Sequence, residues 1–467
     1  MPLPCGGRSS SSAGPTPAHP PPPSPAFSRR SARERCRRHD RGRSVSVGCA
    51  ASQMTASTLL APYRDGLAGV DRRAYLVVTL TLIAVAARMS VYTFLGIYLT
   101  RDAGLSLALV GVGLLVENVV RGTASPIAGA LSDRVGRRPV IAGAALAVAA
   151  VLPFFLLVRT PAQLLLWSAA VGVAQAGLWP ATSALLLDLA LPQRHQAVLS
   201  LNYTAISIGY TIGVIPAGFL AEIGFSALAV AGSIGFVLIA VLALAGIRGP
   251  LAPSGVPDAN ASFMGDTLRA PRDPAFLFLA ALAFVFPFGI GLIGYVTPLY
   301  GKDAGLAEGA IGLALAMNGP LLAVLAIPVA VRMAPHGPYR YLSLSALLLA
   351  FSYAPLVVAG NFAALALATL VFTFGELIFS SALPAAVAAL APRGLRGAYQ
   401  GAWAMVFAVA IGAGVALSGV VHGALSWEWT WIVWIALSAL AAVGLGLARG
   451  RFERTAASRA ASTGSTR

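Results

Sequence analysis

Charged side chains are scarce in this chain: Asp, Glu, Lys and Arg make up 11% of its 467 residues, and 57% are hydrophobic. Soluble domains carry about 25% charged residues, so the composition excludes a water-soluble body. Cysteine is nearly absent, and the three cysteines, Cys5, Cys36 and Cys49, all precede residue 50. The rest of the chain has no thiol for a disulfide or a metal-thiolate site, and we expect no cofactor and no metal.

Lysine and histidine are equally sparse where an enzyme or a pump would need them. Lys302 is the only lysine and Asp303 follows it, so the chain has no G-x-x-x-x-G-K-[ST] phosphate loop. All five histidines fall in the N-terminal segment or in predicted loops: His19, His39, His195, His336 and His422. No Ser/His pair or HExxH arrangement stands within an apolar block. The pattern argues against an ATP-driven pump and against a membrane enzyme.

The chain is instead rich in uncharged apolar blocks of about 20 residues, the length that crosses ~30 Å of hydrocarbon. Only helices and closed barrels span lipid, and segments such as 139–158 lack the period-two alternation of barrel strands. We therefore predict an all-α membrane protein with 12 transmembrane helices. The predicted spans are 74–100, 106–131, 139–158, 163–190, 197–222, 226–247, 274–299, 309–332, 341–359, 362–390, 398–421 and 427–448.

Basic residues indicate the orientation of these spans. The formal net charge of +16 invites a nucleic-acid partner, but nine of the 33 Lys and Arg lie in residues 1–50 and most others lie in short loops. After residue 54, one set of loops and the two ends carry nearly all the arginines, whereas the opposite loops carry only Arg101, Arg159 and Lys302. By the positive-inside rule, we expect both termini in the cytoplasm, a bacterial inner-membrane location, contact with lipid and no nucleic acid.

The chain divides into two similar halves. Spans begin at 74 and at 274, and Pro192, Arg194, Gly209 and Gly218 have counterparts about 200 residues later in Pro392, Arg396, Gly412 and Gly419. Parallel six-helix repeats with substrate bound between them characterise one large class of transporters. The predicted divisions are a basic N-terminal segment and leader (1–72), a first six-helix half (73–247), a cytoplasmic linker (248–273), a second six-helix half (274–448) and a cytoplasmic tail (449–467).

Residues 1–53 are rich in Ser, Pro and Arg and poor in acids, so we expect them to be disordered. Three interpretations stay open. The composition fits a plastid transit peptide, which would place the protein in a plastid membrane. A start codon assigned upstream of Met54 would explain why Met54 opens a short leader into the first span. A genuine cytoplasmic tail is the third interpretation.

The sequence GALSDRVGRR occupies residues 129–138, between the second and third predicted spans. Gly129 would let two helices approach closely and Gly136 would allow a tight turn. Asp133 can pair with a nearby arginine or accept from a helix N-terminus. The segment resembles the signature loop of the major facilitator superfamily, G-x-L-x-D-R-x-G-R-R, which implies alternating-access transport. We expect its residues to form a conformational latch rather than only to fix topology: Gly129, Asp133, Arg134, Gly136, Arg137 and Arg138.

Other segments extend this resemblance over nearly all of 74–448. Gly177 to Pro180, with Asp188, resembles the fourth span, and Gly375-Glu376 with residues 392–401 resembles bacterial multidrug efflux carriers. The second copy of the signature loop, 332–340, has decayed. The Gly/Pro-rich fifth span resembles the motif associated with antiporters, but Val214 and Ile215 interrupt its Gly-Pro pair. Its small residues could therefore serve antiport or only the packing of helices. These residues are Gly209, Gly213, Pro216 and Gly218.

Four charged residues stand deep in predicted spans, where each costs roughly 2.5–3.5 kcal/mol or more. They are Arg88, Glu117, Arg121 and Glu376. Glu117 and Arg121 share a helix face, so they could neutralise each other, or Glu117 could meet Arg88. Alternatively, desolvation favours the protonated carboxylate, and these residues would couple transport to protons. Glu376 has no basic neighbour in its own span and is the better candidate.

We expect aromatic side chains to line an apolar substrate cavity: Tyr92, Trp179, Phe286, Phe288 and Trp403. Trp427, Trp429, Trp431 and Trp434 begin the last span and suit interfacial anchoring. The function predicted is export of drugs or amphipathic molecules by a monomer in exchange for protons, with uncharged or cationic solutes favoured by the sparse interior charge. The alternative is a specific carrier for a sugar, an amino acid or another metabolite.

Overall fold

The structure is a computed structural model that describes residues 71–191, 194–247, 272–333, 336–392 and 395–461. These residues contain twelve helices long and apolar enough to cross a membrane, as the sequence predicted. In chain order they are α1 Arg72–Asp102, α2 Leu107–Val135, α3 Arg137–Leu157, α4 Pro161–Asp188, α5 Ala197–Ile223, α6 Phe225–Gly246, α7 Pro274–Asp303, α8 Glu308–Ala326, α9 Pro338–Val358, α10 Phe362–Leu390, α11 Ala398–Ala424 and α12 Trp427–Arg459.

At two of the prolines that interrupt these helices, in α4 and α8, a neighbouring hydroxyl group lies close to the carbonyl that loses its hydrogen bond. Pro180 has no N–H for the Ala176 carbonyl, and the Ser125 hydroxyl of α2 lies 3.1 Å from that oxygen. Pro320 likewise leaves the Ala316 carbonyl of α8 unpaired, and Thr211 Oγ1 of α5 lies 3.4 Å from it. Lipid offers no water to a freed carbonyl, so these hydroxyls make the interruptions tolerable.

The helices pack as two sets of six joined by two main contacts. Within the first six, α1 packs on α5 and α6, α2 on α4, and α3 on α6; within the last six, α9 packs on α10 and α12, and α7 on α11. The joining contacts are α2 with α11 and α5 with α8. Glycines bring α5 close to its neighbours: a Cβ at Gly209, Gly213 or Gly218 would lie 2.5–2.6 Å from a backbone oxygen of α1 or α8.

At the end of the bundle that holds Arg101 and Asp303, the two sets are in close contact. Arg101 forms an ion pair with Asp303, and Trp427 Nε1 donates to the same carboxylate at 3.0 Å. Where α2 and α11 cross, Gly111 of α2 and Gly419 of α11 each lie so close to the backbone of the other helix that a Cβ would overlap it. We call this region the closed end; the signature loop lies at the opposite end.

A polar cluster ties α7 to the end of α12. The Asp273 carboxylate caps α7 through the Ala275 N–H at 2.9 Å, and accepts from Tyr399 and Arg459 at 2.7 Å each. Burial alone would raise the pKa of Asp273, but the hydrogen bonds from Arg459, Tyr399 and Ala275 outweigh it and hold the pKa below its usual value. The carboxylate therefore stays charged and keeps the ion pair.

The tryptophans of α12 differ from the predicted interfacial belt. Trp431 and Trp434 are fully buried, whereas Trp429 is half exposed. Trp431 stacks on Tyr353 of α9, and Trp434 donates to Ser418 Oγ of α11 at 2.8 Å. The interfacial interpretation is therefore wrong for these two, which pack inside the second set of six helices.

Candidate functional site

A cavity of about 740 Å³ lies between the two sets of helices. Side chains of α1, α2, α4 and α11, with Phe236 of α6, line it, and most are apolar. Trp179 and Met405 are each more than half exposed at its wall. The size and the apolar lining with a few polar groups are those of a small-molecule site.

The cavity is on the signature-loop side of the bundle. Its lining comes from the early part of α1 and α11 (Leu80, Gly401) and from the later part of α2 and α4 (Ser125, Thr182), which all lie toward that end. The closed end seals the opposite side. The conformation is therefore open toward the signature loop and shut toward Arg101 and Asp303.

A polar cluster at the deep part of the cavity holds two of the four predicted interior charges in an ion pair. Arg88 Nη2 of α1 lies 2.9 Å from Glu117 Oε1 of α2, and Glu117 is fully buried. Tyr92 Oη donates to Glu117 Oε2 at 2.8 Å, and its ring centroid lies 4.0 Å from the Arg88 guanidinium carbon. Gln175 accepts from Arg88 and lies 3.4 Å from Glu117. Every oxygen of Glu117 is thus satisfied.

Arg121 does not pair with Glu117, although the two share a helix. Its Nη2 donates to Asn118 Oδ1 at 2.6 Å, and the side chain lines the cavity. No Asp or Glu within the described ranges forms an ion pair with Arg121. Of the two pairings that the sequence left open for Glu117, the structure shows the one with Arg88.

Glu376 lies apart from this cluster, on α10. Asn318 Nδ2, in the first turn after the interruption of α8, donates to Glu376 Oε2 at 2.8 Å and to Thr373 Oγ1 at 3.0 Å. Among the described residues, no cation forms an ion pair with Glu376. Its partner Asn318 is 58 residues away in sequence, and only the polarity of an otherwise apolar span could have pointed to it.

The signature loop forms a charge cluster whose described partners all lie in the first six helices. Arg137 Nη1 lies 2.5 Å from Asp133 and 2.8 Å from Ser132 Oγ, and its Nε lies 3.3 Å from Asp188 of α4. Arg138 donates to the Leu244 carbonyl of α6. Of the two arginines that could pair with Asp133, Arg137 forms the ion pair, whereas Arg134 is exposed.

The two glycines of the loop behave differently. Gly136 has φ of +104°, a conformation that favours glycine, and it turns the chain between α2 and α3. The expectation that Gly129 allows close helix approach is wrong for this conformation, because a Cβ there would meet nothing within 4 Å.

Of the five aromatic residues predicted to line the cavity, Trp179 does so. Tyr92 holds Glu117 instead. Phe286 stacks on Phe379, with ring centroids 4.1 Å apart, and Phe288 packs edge-on against Trp434. Trp403 is buried against Phe379. In this conformation these four pack against other side chains and are not cavity-lining residues.

Comparison with known proteins agrees with this architecture. The family profile described as Major Facilitator Superfamily matches residues 77–331 and 279–466. The chain belongs to the major facilitator superfamily. It is thus a multi-pass membrane transporter by family and fold, and the resemblance read from the signature loop is confirmed.

Relatives of this facilitator carry different activities in their names. A "Na(+), Li(+), K(+)/H(+) antiporter" of Planococcus maritimus is 25% identical over 355 residues, 68% of this chain and 82% of that protein. "Multidrug resistance protein MdtH" of Cronobacter sakazakii is 25% identical over 320 residues, 67% of this chain and 77% of that protein. The family is therefore shared, and the names do not agree on a substrate.

Solved structures share the fold at low sequence identity. The nucleoside transporter NupG aligns with a TM-score of 0.69 at 14% identity, over 81% of this chain and 99% of that chain. A POT family transporter in complex with 5-aminolevulinic acid aligns with a TM-score of 0.68, also at 14% identity, over 82% and 96%. These likenesses establish the fold alone.

Proposed function

We propose that this facilitator exports amphipathic small molecules across the membrane in exchange for protons. The observation that carries the proposal is the apolar cavity between the two sets of helices, open toward the signature loop and shut at the opposite end. With both termini cytoplasmic, as the arginine distribution predicts, this conformation would load substrate from the cytoplasm. Drugs are one such group of substrates; a dedicated metabolite carrier is the alternative.

Exchange of alkali cations, the activity named for the Planococcus relative, has less support. A bare alkali cation needs several oxygen ligands, as hard cations do. The charged groups that line this cavity are the guanidinium groups of Arg88 and Arg121, and Glu117 behind them is already held by Arg88.

Glu376 is the carboxylate that we assign to proton coupling. Glu117 is neutralised by Arg88 and accepts hydrogen bonds on both oxygens, so a proton would have to break an existing ion pair. Glu376 is held only by the neutral Asn318 amide among the described residues. Desolvation disfavours a charged carboxylate that lacks a cation, and uptake of a proton removes that charge.

The signature loop supports a latch in the other conformation. At the open end, Asp133, Arg137 and Asp188 are paired within the first six helices and make no described contact with α11. When the halves close on this side, α11 would approach the loop, and the Asp133 carboxylate would accept from the N–H groups of its N-terminal turn. Asp133 would thus gain a contact with α11 in the conformation that is closed on this side.

The test uses inverted membrane vesicles that carry the full chain, with lumenal acidification followed by a pH dye. Amphipathic compounds are added one at a time. We expect a substrate to release protons in the wild type and Glu376→Gln to abolish the release, because glutamine keeps the Asn318 hydrogen bond but cannot be deprotonated.

Glu453→Gln is the matched control, since this carboxylate pairs with Arg449 on the exposed end of α12 and should leave proton release unchanged. Release that persists in Glu376→Gln would assign coupling elsewhere, with Glu117 the next candidate. Absence of release with every amphipathic compound would favour the metabolite carrier.

A further inference from the structure

The charged side chains that line the cavity are positive. Arg88 and Arg121 are its charged lining residues, and no Asp or Glu lines it in the part of the chain that the structure describes. Glu117 neutralises Arg88 at 2.9 Å, from a position that is fully buried behind the wall. No described Asp or Glu forms an ion pair with Arg121, so the three side chains Arg88, Glu117 and Arg121 together carry one net positive charge.

Arg121 is held in place but retains donors. Its Nη2 donates to Asn118 Oδ1 at 2.6 Å, while a guanidinium carries five N–H groups in a planar fork. Asn118 also lines the cavity and is itself fixed, since its Nδ2 donates to the Leu114 carbonyl at 2.8 Å. Arg121 is therefore positioned by one hydrogen bond at the wall of an otherwise largely apolar space.

Electrostatics in such a site discriminates between solutes. A charge in a low-dielectric wall acts strongly on a charge inside the cavity, so the net positive charge of this wall repels organic cations and attracts anions. Arginine suits carboxylates and phosphates in particular, because its fork forms two parallel, charge-assisted hydrogen bonds. The surrounding Met405, Phe407 and Trp179 side chains provide apolar contact for the rest of the molecule.

We propose that the substrates of this facilitator are amphipathic organic anions, whose carboxylate or phosphate group binds Arg121 while an apolar body occupies the remainder of the cavity. The proposal rests on the proposed export function and narrows its substrate class. It reverses the expectation, drawn from the sparse interior charge, that uncharged or cationic solutes are favoured.

The test is a set of three probes that share one fluorescent apolar body and differ in charge: dansylglycine (anionic), dansylglycinamide (neutral) and N-dansylethylenediamine (cationic). Binding to the purified full chain in detergent is measured by fluorescence anisotropy. We expect dansylglycine to bind about tenfold more tightly than the cationic probe, the discrimination of one charge-assisted contact. Added salt should reduce that preference.

Variants at the wall locate the contact. Arg121→Gln should weaken dansylglycine about tenfold and leave dansylglycinamide unchanged, whereas Arg121→Lys should retain much of the preference for the anion. Arg340→Gln removes an equal charge at an exposed position near Tyr341 and should change nothing. Gel filtration of each variant shows that it is folded.

Each other result counts against the proposal. A cationic probe that binds as tightly as the anion would overturn it, as would an Arg121→Gln variant that weakens all three probes equally or a failure of dansylglycine to bind. The vesicle assay separates this failure from that of the proposed function. Proton release driven by the cationic probe would refute the anion site and support antiport. If the anionic probe binds in a manner that depends on Arg121 but releases no protons, the anion site would be supported and antiport refuted.

Discussion

Two carboxylates within the spans of this facilitator, the buried Glu117 and the partly buried Glu376, have opposite surroundings. Glu117 meets a guanidinium, a phenol and an amide, whereas Glu376 meets the amide of Asn318. Burying an ion pair in a low-dielectric region costs free energy, and burying one of its charges without the other costs far more. The first arrangement therefore serves structure and positions Arg88, while the second leaves a carboxylate that can change charge without stranding a partner.

The first prediction concerns Glu117. Glu117→Gln strands the Arg88 charge and should lower the free energy of unfolding by about 3–5 kcal/mol, the cost of removing one partner of a buried pair. The double variant Arg88→Gln with Glu117→Gln should recover much of this loss, because no charge is stranded. The measurement is the unfolding temperature of purified protein in detergent.

Glu453→Gln provides the comparison, because its exposed pair with Arg449 is worth less than about 1 kcal/mol. Equal and small effects of Glu117→Gln and Glu453→Gln would show that the Arg88–Glu117 pair does not stabilise the fold.

The sequence identifies the charged residues within the spans better than it predicts which side chains they contact. A charge within a long apolar run is conspicuous, so Arg88, Glu117, Arg121 and Glu376 are found without a structure. Gln175 and Asn318 are 58 residues from the carboxylates they contact, and no local pattern links them. The aromatic residues fail for a related reason: in a membrane helix, both the lipid-facing and the packed faces are apolar, so periodicity does not tell which face lines a cavity.

At the scale of the helix, proline residues mark where backbone carbonyls need outside partners. The Ser125 hydroxyl lies between the carbonyl oxygens of Arg121, at 2.8 Å in its own helix, and Ala176, at 3.1 Å in α4. The number and approximate positions of the twelve spans were predictable because hydropathy and length define them, but the predicted end of the last span at 448 is wrong, since α12 continues to Arg459. These hydroxyl contacts were not predictable, since they depend on which helices pack together.

The second prediction tests the interruption at Pro180. Ser125→Ala should cost about 1 kcal/mol of stability, since a carbonyl in lipid loses its donor. In a Pro180→Ala background the same change should cost little, because the alanine N–H can close the hydrogen bond to Ala176 and reform the regular helix. The unfolding temperatures of the four proteins make a double-mutant cycle; equal costs of Ser125→Ala in both backgrounds would contradict the account.

At the scale of the whole molecule, glycines determine how firmly one end is shut. A Cβ at Gly412 of α11 would lie 2.5 Å from the Leu115 nitrogen of α2, too close to be accommodated without moving a helix. Gly412 also has Gly209 as its approximate counterpart in the first half. The repeat was visible in the sequence, but which end of the bundle its glycines close was not.

The third prediction follows the opening of the cavity with a single thiol. The described helices contain no cysteine, so Met405→Cys, with Cys5, Cys36 and Cys49 replaced by serine, reports cavity access alone. We expect a membrane-impermeant maleimide to label it quickly in inverted vesicles and slowly in intact cells. Gly412→Ala should raise the rate in intact cells by forcing α2 and α11 apart.

Gly423→Ala is the matched control on the same helix, because a Cβ there meets nothing within 4 Å. Fast labelling of the otherwise unaltered Met405→Cys protein in intact cells, and slow labelling in inverted vesicles, would reverse the proposed orientation of the cavity.

The two proline interruptions differ in one respect that bears on the energetics of the transport cycle. Ser125 and Ala176 belong to the same set of six helices, so their contact can persist when the halves rock. Thr211 and Ala316 belong to different sets, and Thr211 has an alternative acceptor 3.4 Å away in the Ser207 carbonyl of its own helix. Separation of α5 from α8 would leave the Ala316 carbonyl to be rehydrated at every turnover. Loss of this hydrogen bond would cost about 0.5–1.5 kcal/mol, so the contact favours the conformation in which the closed end is shut.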